Sequence, residues 1–114
     1  MPPESAKYLR DVLDAAKLIS GFVANKTIDD YRSSEMLRSA VQWNFAVIGE
    51  ALSQPYRIDP AAVEAISEWN RIIGFRNQLI HGYGVIRDTI TWDIIEQKLP
   101  TLIDEVKRLL RVDK

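Results

Sequence analysis

Apolar residues recur at three- and four-residue steps along most of the chain, and no stretch of useful length alternates with period two. Leu9, Val12, Leu13, Ala16, Ile19, Phe22 and Val23 make the first such stripe. It predicts a helix with Ser5 as its cap and with Pro2 and Pro3 outside. Lys7, Arg10, Asp11, Asp14 and Lys17 fall mostly on the opposite side, as solvated charges. Gly21 stands near the end of this helix, and Asn25-Lys26 reads as a connector. Thr27 and Asp30 form a loose capping box, with aspartate in place of the usual glutamate, and a short turn through Tyr31 leads onward.

The second long helix carries Met36, Leu37, Ala40, Val41, Trp43, Phe45, Val47, Ile48, Ala51 and Leu52. These positions cover more than one stripe, so the helix is either central in a bundle or shared between core and subunit interface. Asn44 falls inside the stripe of Leu37, Val41, Ile48 and Ala51. A buried amide needs partners, and the plainest expectation is a bond to a neighbouring helix; it can also fix a register or support a site. Glu50 extends the side of Met36, Ala40, Trp43 and Val47, where it either holds an arginine or sits at the bundle edge.

Pro55 is expected to end that helix, and Asp59-Pro60 to start a short one over 61–66. The next main helix is predicted from about Ser67 to His81, with Trp69, Ile72, Ile73, Phe75, Leu79 and Ile80 as packing residues. Gly74 in its middle costs stability and implies close packing there, while Gly82 supplies the C-cap. Gly84 to Arg87 reads as a linker, and Asp88 as the cap of a helix with Ile90, Trp92, Ile94 and Ile95. Pro100 interrupts the pattern but suits the first turn of a last segment with Leu102, Ile103, Val106, Leu109 and Leu110. The fold class is all-α: one domain over 1–114, four main helices plus short pieces, with brief loops favouring antiparallel neighbours.

Composition narrows the chemistry. A net charge of −1 argues against a non-specific nucleic-acid coat but leaves room for a local basic pocket. Without cysteine there is no disulfide, no thiolate zinc site and no thiol nucleophile. A single histidine argues against a histidine-rich metal site unless subunits share one, so no metal is expected. No apolar run approaches membrane-spanning length, and the start, MPPESAKYLRD, lacks a signal-peptide core. The default expectation is a cytoplasmic protein that does not enter a membrane.

The chemistry concentrates in RNQLIHGY, Arg76 to Tyr83, which contains that histidine, His81. His81 can move protons near neutral pH, and a helix C-terminus favours its protonated form. Arg76 offers a permanent charge and a planar fork for phosphate oxygens. The pair is a minimal kit for cutting RNA without metal: a base takes the ribose 2′-hydroxyl proton, a cation steadies the phosphate, and an acid protonates the departing 5′-oxygen. Five residues of helix separate the two by about 7.5 Å of rise and roughly 140° of rotation, so they do not share a face in a perfect helix; the length of arginine or a distorted last turn can bring them together. Asn77, four residues before His81, does share its face and can orient the imidazole or touch substrate. Because one imidazole cannot readily be acid and base together, two copies of the stretch across one cleft would complete the site. The residue types also fit a non-catalytic nucleotide- or partner-binding module, or a plain helical dimerisation domain.

The order R-N-x-L-I-H-G-Y, preceded by W-x-x-I-I-G, resembles the HepT family of HEPN-domain toxins. Upstream, Asn44, Gly49 and Glu50 match the family's N-x-x-x-I-G-E-A run, and WDIIEQKLPTL continues the likeness downstream. The resemblance implies a helical bundle that forms a homodimer, with the two motifs meeting at the interface. It implies a metal-independent endoribonuclease toxin with Arg76, His81 and Asn77 as catalytic residues and Asn44, Glu50 and Gly82 in support. It further implies a partner, an MntA-type nucleotidyltransferase antitoxin that transfers AMP from ATP onto Tyr83. ATP is then only the partner's AMP donor, and no cofactor is expected. The loop GVIRDT departs from the family's usual residues after the tyrosine, which alters the cleft rim. Arg71 and Arg87 flank the motif, either as added positive charge or as solvated surface.

Overall fold

Helices α1 (Pro3–Val23) and α3 (Glu35–Ile58) form over the two longest apolar stripes, joined by the short α2 (Ile28–Ser33). Then follow α4 (Pro60–Glu64), α5 (Trp69–His81), α6 (Asp88–Asp93) and α7 (Leu99–Val112), the last two fused by a π-helical turn, Ile94–Lys98. The computed structural model describes residues 2–81 and 87–112, with the backbone alone at His81 and Val112. Among the described residues there is no strand, and the all-α expectation holds with α1, α3, α5 and the fused α6–α7 as the four main helical units. No helix among them is long and apolar enough to cross a membrane.

The central helix is α3. It packs along α1 on one side and α5 on the other, while α7 returns against α1 and α2 bridges α3 to α6. Leu9, Val12 and Ile19 of α1 meet Val41, Ile48 and Leu52 of α3, and all are fully buried. Each such side chain contributes roughly 1.5–3 kcal/mol by leaving water. Phe45 of α3 meets Phe75 of α5 edge-on with ring centres 5.3 Å apart, which seats α5 on α3.

The capping box is realised: Asp30 N–H donates to Thr27 Oγ1 at 3.2 Å and Thr27 N–H to Asp30 Oδ2 at 2.9 Å. Several boundaries differ from expectation. Helix α1 begins at Pro3, where the missing N–H costs nothing, and Ser5 is buried inside the first turn instead of capping it. Pro55 does not end α3; it lies buried inside the last turn, and the helix continues to Ile58. Only one carbonyl bond is lost so near an end, and Asp59 N–H closes the turn on Pro55 O at 2.7 Å. Arg87, not Asp88, occupies the cap position of α6. Pro100 does fall in the first turn of the last helix, as expected, but the chain stays helical into it, because the wide π turn before it, closed by Leu99 N–H on Ile94 O, opens the ladder that proline would clash with.

Several apolar positions are open. Trp43 is 70% exposed and Met36 82%, so α3 is not buried on all sides, and this side has no cover among the described residues. Ile80 and Ile90 are likewise half exposed. Gly74 is exposed, and a Cβ placed on it would meet nothing within 4 Å, so close packing is not its reason.

Candidate functional site

The helix that carries the motif is anchored at its start. Glu68 adopts a left-handed backbone, φ 57°, which turns the chain into α5. Arg71 and Lys98 grip its carboxylate at 2.8 and 2.7 Å. Their hydrogen bonds hold the Glu68 carboxyl below the usual carboxylate range, Lys98 contributing most. Next to it, Glu105 of α7 accepts from the N–H and hydroxyl of Ser67. These contacts fix where α5 starts, and Phe75 on Phe45 fixes its pitch, so the position of Arg76 follows.

Arg76 then enters the seam between α5 and α3. The seam closes only because residue 49 is glycine: a Cβ there would fall on Arg76 Cβ and lie 2.6 Å from its Cγ. The guanidinium is held on two sides. Nη2 donates to Glu50 Oε2 at 2.8 Å, and Nη1 donates to Asn77 Oδ1 at 2.9 Å. Gln54 in turn donates to the other oxygen of Glu50 at 2.8 Å. Nε is buried and finds no partner among the described residues. Of five guanidinium N–H groups, two are thus engaged and one is buried; the other two, one on each terminal nitrogen, meet no acceptor among the described residues.

Glu50 therefore holds an arginine rather than sitting idle at an edge. Asn77 gives its carbonyl oxygen to Arg76. Asn44 is buried, but its amide donates to Ala40 O at 2.9 Å within its own helix, not to a neighbour as expected. Helix α5 runs through His81, whose side chain lies outside the described residues. Gly82 and Tyr83, the expected cap and modification acceptor, lie outside the described residues.

Arg76 opens into a groove of about 530 Å³ between α1, α3 and the end of α5. Its walls are apolar, with half-exposed Leu18 and Ile80 and mostly exposed Trp43. Asp11 and Asp14 on α1 add negative charge to its rim. Among the described residues, no three of Asp, Glu, His or Cys gather closely enough to hold a metal ion.

Beyond the geometry, residues 12–109 match the family model described as "Ribonuclease HepT-like". The chain belongs to the HepT-like ribonuclease family. It is 28% identical over 114 residues to the protein named "Putative RNase MJ0127" of Methanocaldococcus jannaschii, covering 97% of this chain and 92% of that one. It is 28% identical over 110 residues to "Putative RNase TTE0752" of Caldanaerobacter subterraneus subsp. tengcongensis, covering 94% and 95%. A third relative, "Gamma-glutamylcyclotransferase and putative RNase MJ0434" of M. jannaschii, is 26% identical, and the chain spans 46% of its length. No solved structure matches the chain.

In this HepT-like chain, two site residues escaped sequence reasoning as contributors in their own right. Gly49 admits Arg76 and Gln54 orients Glu50. A glycine beside a glutamate within the apolar-rich middle of α3 was the available signal, but its meaning depends on which helix faces it.

Proposed function

We propose that this HepT-like protein is a metal-independent endoribonuclease toxin acting on cytoplasmic RNA, with a composite site built by a homodimer. The observation that carries the reading is Arg76, framed by Glu50 and Asn77, with His81 ending the same helix. In the reaction, a base removes the 2′-hydroxyl proton and the 2′-oxygen attacks phosphorus. The P–O5′ bond breaks, the 5′-oxygen receives a proton, and a 2′,3′-cyclic phosphate remains. Arg76 steadies the crowded phosphate with its two remaining N–H groups; Glu50 and Asn77 keep the fork aimed, which lowers the entropic cost of orienting it. In the homodimer the arginine of one copy serves the histidine of the other. Leu18, Trp43 and Ile80 around Arg76 supply an exposed apolar patch for the second copy to cover.

Neutralisation belongs to the partner, an MntA-like nucleotidyltransferase. The Tyr83 phenol oxygen attacks the α-phosphate of ATP, a P–O bond forms, and pyrophosphate leaves. The AMP phosphate then competes with RNA for Arg76. The acidic, apolar groove beside Arg76 favours one second reading, a module that docks the nucleotidyltransferase without cutting RNA.

The test incubates purified protein with RNA in excess chelator beside His81→Ala and Arg76→Ala variants. Cleavage by the wild type alone, leaving cyclic phosphate ends, is the expected result. No cleavage, together with ATP-dependent mass gain on Tyr83 in the presence of the nucleotidyltransferase, overturns the nuclease in favour of the docking module.

A further inference from the structure

On the opposite flank of α5 from Arg76 lies a second groove, of about 770 Å³, closed on its other side by α6 and the π turn. Its lining explains the glycine that packing does not. Gly74 exposes bare peptide into this groove in the middle of a helix, where glycine costs stability, and no side chain of the described residues uses the space it leaves. Half-exposed Ile90 and partly buried Ile94 line it with apolar surface, as does Phe75. Such a slot suits a flat ring laid against peptide on one side and aliphatic carbon on the other.

Charge narrows the occupant. Arg71 and Lys98 both pair with Glu68, and Asp93 adds a second carboxylate, so the formal charges lining the groove cancel and offer no net attraction to phosphate. Gln78, Thr89 and Asp93 supply hydrogen-bonding groups for a ring edge. Gln78 precedes His81 by three residues, about 4.5 Å along the helix, so a group held here lies within a turn of the motif.

We propose that this groove is a nucleobase subsite for RNA, seating the base of a nucleotide that flanks the cleaved linkage. The base lies on the Gly74 peptide under Ile90, and Asp93 accepts from an exocyclic amine, so adenine, guanine and cytosine bind better than uracil. The assignment rests on the ribonuclease reading for its role in cleavage, while the site itself is tested apart from it.

A single-stranded oligoribonucleotide is titrated against His81→Ala protein, to prevent cutting, with and without Gly74→Leu. Leucine fills the slot from an open position on a helix, so the fold is retained and Tm rises. Oligonucleotide affinity is expected to fall at least about 10-fold. In parallel, AMP and UMP are added to the wild type, and the side-chain amide resonance of Gln78 is followed. AMP shifts it more than UMP, the difference shrinks in Asp93→Asn, and Gly74→Leu abolishes the shift. Unchanged oligonucleotide affinity in Gly74→Leu overturns the subsite, as does a change in sedimentation mass, which would make the groove an interface between copies. If the wild type fails to cut RNA but AMP still shifts Gln78, the nuclease reading falls and the base site stands. If RNA is cut while Gly74→Leu binds and cuts normally, the reverse holds.

Discussion

Replacing Gly49 with alanine sets a methyl group onto Arg76. In a helix otherwise free of obstruction the exchange would stabilise by about 1 kcal/mol. Here the added carbon would lie 2.6 Å from Arg76 Cγ and closer still to Cβ. Carbon contacts settle near 3.5–4.0 Å, so α3 and α5 must part by about 1 Å or more. The stem of Arg76 next to its own backbone cannot swing aside, which puts the overpacking cost near ~3 kcal/mol. Net of helix propensity the loss is about 2 kcal/mol, or roughly 8 °C in Tm for a chain of this size. The matched control is Gly74→Ala, whose new methyl meets open space and should raise Tm by about 4 °C. Urea and thermal unfolding of the two variants beside the wild type decide the matter. If Gly49→Ala is as stable as the wild type or more so, the close approach that seats Arg76 is wrong. RNA cleavage should fall with it, because the 2.8 Å pairing of Arg76 with Glu50 depends on that approach.

Glu50→Ala frees the guanidinium without disturbing the core, as the carboxylate is half exposed; kcat should drop about 10–100-fold with little change in KM, and a pure KM effect would remove Glu50 as a positioning residue. Trp43→Ser, at a site 70% exposed, should leave the unfolding of the single chain nearly unchanged but convert dimer to monomer in sedimentation; an unaltered dimer places the interface elsewhere. Asp30 and Glu68 carry lowered pKa values, through the Thr27 backbone N–H and through Lys98 and Arg71 respectively. Groups depressed in the folded state stabilise it above their unfolded pKa and lose that contribution as pH falls through the folded value. Tm should therefore decline on acidification below about pH 4, less steeply in Glu68→Gln, and an identical acid slope in that variant would rule Glu68 out as a source.

The sequence by itself determined the helical class, the main stripes, the capping box at Thr27 and the motif around His81. These are local properties: a three-to-four-residue period, a cap and the residue types of a short motif are complete within a few turns. Only the tertiary structure decided that Glu50 grips Arg76 and that Gly49 makes room for it. Glu50 stands 26 positions from Arg76, with Gly49 one residue further back, and nothing in α3 alone says which helix will face it. The same holds for the open faces. Trp43, Ile80 and Ile90, on three different helices, fit the apolar pattern as well as any core residue, yet a bundle of this size does not bury every apolar face of its helices. Which side remains bare follows from how the neighbours pack, and that bare side is where this protein's partners and substrate have to be sought.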